Sequence, residues 1–144
     1  MRTVLKSPVQ MATLLSMLAS SLLLSGCVAE SAPAHWLQSE SGRQGLYQAH
    51  LDCETPPATG PFQQCEVRFT DSQGRGFIPV QASIEGGMPL HGHGLPTAPV
   101  LSALEQPGHY RIDGLKYNMP GAWLLGFQVN GPQGEDRLVF DFVI

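Results

Sequence analysis

Apolar and polar residues alternate with a period of two along most of this chain beyond residue 45. Tyr47, Ala49 and Leu51 share one face of segment 45–51, and Cys65, Val67 and Phe69 share one face of segment 65–69. Ile78, Val80, Ala82 and Ile84 do the same in 77–85, as do Trp123, Leu125, Phe127 and Val129 in 121–130, and Leu138, Phe140, Phe142 and Ile144 in 136–144. Side chains two apart lie on the same side of a strand, so each segment predicts a half-buried β-strand. Shorter candidates lie at 99–104 and 109–112. Turn chemistry separates them: Asp71-Ser72-Gln73-Gly74, Pro107-Gly108, Asp113-Gly114 and Asn130-Gly131-Pro132. No run of ten or more residues carries an amphipathic helical stripe. About seven short strands in roughly 100 residues predict an all-β fold, a sandwich of two antiparallel sheets.

The first 26 residues break this pattern. Arg2 and Lys6 precede an uncharged apolar run from Met11 to Leu24. A bilayer-spanning helix needs about 20 such residues, so a run of this length reads as the core of a signal peptide. It ends in Leu24-Ser25-Gly26-Cys27, which resembles the bacterial lipobox. That resemblance implies cleavage after Gly26 and acylation of Cys27, and several acyl chains on one residue anchor stably where one is marginal. Val28 stands where an Asp is associated with inner-membrane retention, which leans towards the outer membrane if the cell is Gram-negative. The expected organisation is a signal peptide over 1–26, a polar, unpatterned tether over 27–42, and one domain over 43–144. Within the tether, Trp36 has two open placements, docked on the domain or at the lipid headgroups.

Composition and charge narrow the class. Sixteen Gly and twelve Pro in 144 residues suit a turn-rich β domain and disfavour a helical bundle. Loss of residues 1–26 removes Arg2 and Lys6, leaving six basic against twelve acidic residues, a net charge of −6. No basic stripe exists to release counterions from phosphates, which argues against a nucleic-acid partner. Asp113, Glu135 and Asp136 fall in turn-like segments, where carboxylates are expected in solvent.

With Cys27 acylated, Cys53 and Cys65 remain, and in an oxidising compartment an even pair is expected to form a disulfide. They flank the loop ETPPATGPFQQ at the loop-side ends of two predicted strands. Closing a ring of this size stabilises by about 3 kcal/mol in the chain-entropy model. A thiol metal site or redox pair is the competing reading, and no C-x-x-C spacing supports it.

Candidate chemistry concentrates in residues 85–99, EGGMPLHGHGLPTAP. His91 and His93 are separated by one glycine, so an extended backbone would point both to one side. Beyond the leader only Met88 and Met119 remain as thioethers, each followed by proline. Imidazole with thioether is a soft, mixed donor set that suits copper better than magnesium or calcium, which makes Met88, His91, His93 and Met119 the candidate metal ligands. Three alternatives stand beside that reading. In these the methionines fill the core, the glycines and prolines shape an inter-sheet connection, or the loop recognises a partner. His50 and His109 are expected to be ordinary surface histidines, and Trp123 to be core.

The stretch Met88-Pro89-Leu90-His91-Gly92-His93-Gly94-Leu95-Pro96-Thr97 resembles the MPxHGHGxPT segment of YtkA-like domains, which are related to the FixH family. Gly108-His109-Tyr110-Arg111-Ile112 and the run from Gly114 to Trp123 are similar to the same family's GxYxVxGLxFxMxGxW stretch. The resemblance covers roughly residues 45–144. It implies an immunoglobulin-like sandwich comparable to periplasmic copper-carrier domains, and for some relatives a link to copper handling or to assembly of respiratory oxidases. The Cys53/Cys65 pair departs from many relatives. No G-x-S-x-G, H-E-x-x-H or P-loop is present, so a binding or accessory domain of the cell envelope is expected rather than an enzyme. The alternative is a metal-free interaction module of a membrane complex.

Overall fold

The computed structural model describes residues 35–144. The leader expected over 1–26, Cys27 as the expected acylation residue, and residues 28–34 lie outside the described residues. Among the described residues nine strands form: β1 (Trp36–Ser41), β2 (Tyr47–Cys53), β3 (Cys65–Asp71), β4 (Gln81–Met88), β5 (His93–Gly94), β6 (Val100–Ala103), β7 (His109–Asp113), β8 (Ala122–Gly131) and β9 (Gly134–Val143). A 3-10 turn, Pro89–His91, follows β4. All pairing between these strands is antiparallel, in two sheets ordered β1-β2-β3-β7-β6 and β5-β4-β8-β9. The protein is a β-sandwich with two strands more than the alternation predicts.

Both additional strands escape a periodicity argument for physical reasons. The sequence Trp36–Ser41 (WLQSES) lies in the expected tether, yet it pairs with β2 along its length, from Trp36 opposite Cys53 to Ser41 opposite Gln48. It is an edge strand whose other residues face solvent, so it needs no alternation, and its polar residues suit an unpaired edge. Trp36 settles its own placement by docking edge-on against Phe142, ring centroids 5.2 Å apart. The second, β5, is two residues long and carries no pattern.

The predicted strand over 77–85 is also corrected. Pro79 has no N–H to donate, and pairing with β8 begins only at Gln81. Ile78 and Val80 are therefore exposed, at 70 % and 84 %, while Phe77 turns inward against Tyr47 at 4.5 Å. Ala82 and Ile84 keep their predicted side and pack on the core.

The core lies between the sheets. Its fully buried members include Tyr47, Leu51, Phe69, Met88, Leu115, Tyr117, Trp123, Leu125, Phe127, Leu138 and Phe140. Edge-to-face contacts run through it, from Tyr117 to both Trp123 and Phe142, and from Phe127 to Phe69 and Phe140. The Trp123 indole N–H donates to the Met119 carbonyl at 3.0 Å, so the buried ring keeps its polar partner. Cys53 and Cys65 face each other in register and are joined by a disulfide.

Asp136 is not the exposed turn residue its neighbourhood suggests. It is 1 % exposed, and its carboxylate accepts backbone N–H bonds from Gln44 and Leu46 at 2.9 Å and from Arg137 at 2.8 Å. It thereby fastens the β1–β2 turn, on one sheet, to β9 on the other.

Candidate functional site

The candidate ligands converge on one end of the sandwich, where β4 leaves its sheet. Pro89 opens the 3-10 turn, Gly92 closes it in the left-handed region (φ 65°, ψ 21°), and the chain reverses to place His93 opposite Met88 in β5. Glycine is the residue that takes this conformation without a Cβ penalty. Close approach also constrains Gly87, since a Cβ built there would sit 2.1 Å from the His93 carbonyl oxygen. The β4–β5 reversal is therefore built on absent side chains.

The backbone between the histidines is thus turned rather than extended, and the rings still meet. The His91 and His93 ring centroids are 6.2 Å apart with planes inclined by 25°. Both residues are exposed, and neither ring has a hydrogen-bond partner among the described residues. Two imidazoles sharing one metal at about 2.0 Å per nitrogen hold their centroids roughly 5–6 Å apart. The rings lie nearly parallel, so both side chains must rotate for their in-plane nitrogens to converge on one ion.

The two methionines are placed differently from the histidines. Met88 is fully buried, and a Cβ on Gly121 would lie 2.7 Å from its methyl carbon, so its side chain fills the core. Met119 is half-buried and packs on the core, with its carbonyl held by Trp123. Among the described residues no group of three His, Cys, Asp or Glu side chains assembles. The structure therefore joins His91 to His93 and encloses Met88. That the two histidines share one glycine-rich segment is read directly from the sequence. The prominence of Leu90 at its tip is not, because a turn has no period to read.

No protein-family model matches this chain. No curated protein and no solved structure matches it either. The local geometry is therefore what bears on chemistry.

Two other histidines have environments that shift their protonation in opposite directions. His50 lies half-buried on β2, hydrogen-bonded with Ser39 Oγ at 2.9 Å and Thr70 Oγ1 at 3.2 Å. Burial, and then the Arg68 charge on the neighbouring strand, lower its pKa below 6.5. His35 Nδ1 donates to Asp52 Oδ1 at 2.6 Å, and that bond and the Asp52 charge raise its pKa above 6.5. For His50 the unfolded chain binds more protons just below pH 6.5, so acidification through that window removes stability. For His35 the folded chain binds more protons just above 6.5, so stability falls as pH rises through its folded pKa. The expected outcome is a His50-dependent loss of stability on acidification below pH 6.5 and a His35-dependent loss as pH rises above it. Denaturant titrations from pH 5 to 8 should show His50→Gln flattening the acid limb alone and His35→Ala flattening the alkaline limb alone.

Proposed function

We propose that the protein is a lipid-anchored, extracytoplasmic binding domain that takes up a copper ion between His91 and His93. One observation carries the reading: two exposed imidazoles without hydrogen-bond partners among the described residues lie side by side, ring centroids 6.2 Å apart. Imidazole donors follow the affinity order that peaks at Cu(II), and a thioether adds preference for Cu(I). Met119, half-buried at the same end of the sandwich, is the thioether available as a further donor. Copper handling, or service to a respiratory oxidase, is also what the resemblance of residues 88–97 and 108–123 to YtkA-like and FixH-like domains implies. The lipobox-like segment ending at Cys27 supports an envelope location on the periplasmic face.

The test is copper stoichiometry of the mature protein by elemental analysis and calorimetry. One equivalent is expected for the natural chain, and a background level for His91→Ala combined with His93→Ala. Met88→Leu, close to volume-conserving in the core, is expected to keep its copper. Unchanged stoichiometry in the double histidine variant refutes the reading.

A second reading is favoured by Leu90, which stands 87 % exposed beside the histidines. Here residues 88–97 form a metal-free contact with a subunit of a membrane complex. It requires background metal in the natural chain and loss of a co-purifying subunit when this segment is altered.

A further inference from the structure

The two ends of the sandwich differ in a way that the fold alone does not require. One end gathers the start of β1 at Trp36, the Cys53–Cys65 disulfide, the end of β7, the start of β6, the His91/His93 turn and the end of β9. The Trp36–Phe142 contact ties the two sheets together there. The opposite end carries the β1–β2 and β8–β9 turns, joined where the Tyr47 hydroxyl donates to the Gly134 carbonyl.

Large exposed apolar side chains are divided unequally between these ends. Among the described residues, Leu37, Phe62, Leu90, Val100 and Val143 lie at the first end, and Ile78 and Val80 at the second. Five such residues around one rim exceed the scatter of single apolar residues normal on a soluble surface. They come from both sheets and from loops, with Leu37 and Val143 on the outer faces of the two sheets and Leu90 on the turn between β4 and β5. Lys116, the only lysine beyond Lys6, sits at the same end with its ammonium 5.3 Å from the Phe62 ring. A lysine beside an aromatic ring can present its charge to headgroup phosphates while its stem lies on apolar surface.

The chain leaves the domain from this same end. Eight residues, 28–35, separate Cys27 from Trp36, and even fully extended they span at most about 30 Å. Strands of ten residues make the sandwich about 34 Å long. A link of comparable length reaches the membrane with least extension when this end, where Trp36 enters the fold, faces it.

We infer that the protein rests this end on the lipid bilayer surface, with Leu37, Phe62, Leu90, Val100 and Val143 as its interfacial contacts. The inference rests on the lipid-anchor reading of Cys27 and goes beyond it by assigning the contact face. It also places His91 and His93 at the lipid–water boundary, so an ion held there is presented to the membrane plane rather than to the open compartment.

The test uses the acylated full chain in vesicles of phosphatidylethanolamine and phosphatidylglycerol. A bioorthogonal fluorophore replaces Leu90 in one preparation and Ile78, at the opposite end, in another. Lipids brominated near the headgroup are expected to quench the probe at 90 at least about twofold more than the probe at 78, because interfacial residues sit only 5–10 Å into the boundary. Equal quenching, or stronger quenching at 78, overturns the assigned face. Flotation with the vesicles is measured beside Cys27→Ser. If the natural chain does not float, or the variant floats equally, the anchor reading fails and the inference falls with it. If the probe at 90 is shielded in native membranes but not in lipid-only vesicles, the contact is with a membrane protein and the bilayer assignment is wrong.

Discussion

Replacing Asp136 with alanine is expected to lower the unfolding free energy by about 3 kcal/mol, an effect out of proportion to one carboxylate in an acidic protein. The reason is local. The side chain is buried, and its two oxygens are the acceptors for the Gln44, Leu46 and Arg137 N–H groups. Bonds to a charged acceptor contribute more than neutral ones, and removing the acceptor leaves donors in a space with limited access to water. The surroundings have also been shaped to this group. Gly42 packs so closely that a Cβ there would lie 2.1 Å from an Asp136 oxygen. Asp136→Asn keeps the volume but turns one acceptor into an NH2 donor facing an N–H, so an intermediate loss of about 1–2 kcal/mol is expected. Gly42→Ala should destabilise by displacing the carboxylate, and its effect should be less than additive with Asp136→Ala because both break the same contact. Urea titrations with an unchanged denaturant slope measure all three. A loss below about 1 kcal/mol for Asp136→Ala would show that the turn finds other acceptors.

The second large effect concerns the staple. Joint replacement Cys53→Ala and Cys65→Ala is expected to cost about 3 kcal/mol in the chain-entropy model, or roughly 10–15 °C in Tm for a domain of this size. The sulfurs close a short ring, the cysteines being 12 residues apart in sequence, and they sit opposite each other on β2 and β3. The cost should fall on the unfolded state, so the variant is expected to keep the native near-ultraviolet spectrum at low temperature. Both cysteines are buried at 2–3 % exposure. A reductant that works quickly in denaturant should therefore act slowly on the folded chain, because exchange needs access to the sulfur. Fast reduction of the native protein would mean that this end opens locally, and a stability loss near zero would mean that the ring constrains little in the unfolded chain.

Much of the architecture was legible in the alternation of side chains. Segments 45–51, 65–69, 121–130 and 136–144 became β2, β3, β8 and β9 within a few residues, because a strand with one face in a core must alternate. The same logic misplaced Ile78 and Val80, where proline removed a hydrogen bond that the pattern assumed. It passed over β1, since an edge strand held by backbone pairing and one docked Trp imposes no period on its other residues. Asp136 was misjudged for a related reason. Local sequence shows a carboxylate beside a turn, whereas the N–H groups that hold it belong mainly to residues about 90 positions away.

The sequence by itself determined the all-β class, the two-sheet sandwich, the pairing of Cys53 with Cys65 and the segment in which histidines would meet. Each follows from a local constraint, either the two-residue period of a half-buried strand or the length of a loop between two cysteines. Tertiary structure alone decided the rest. It enclosed Met88, brought the His91 and His93 rings to 6.2 Å across a glycine turn, and buried Asp136. It also gathered five exposed apolar side chains at the end where β1 begins. These outcomes depend on which strands become neighbours, a consequence of long-range pairing that no window along the chain contains.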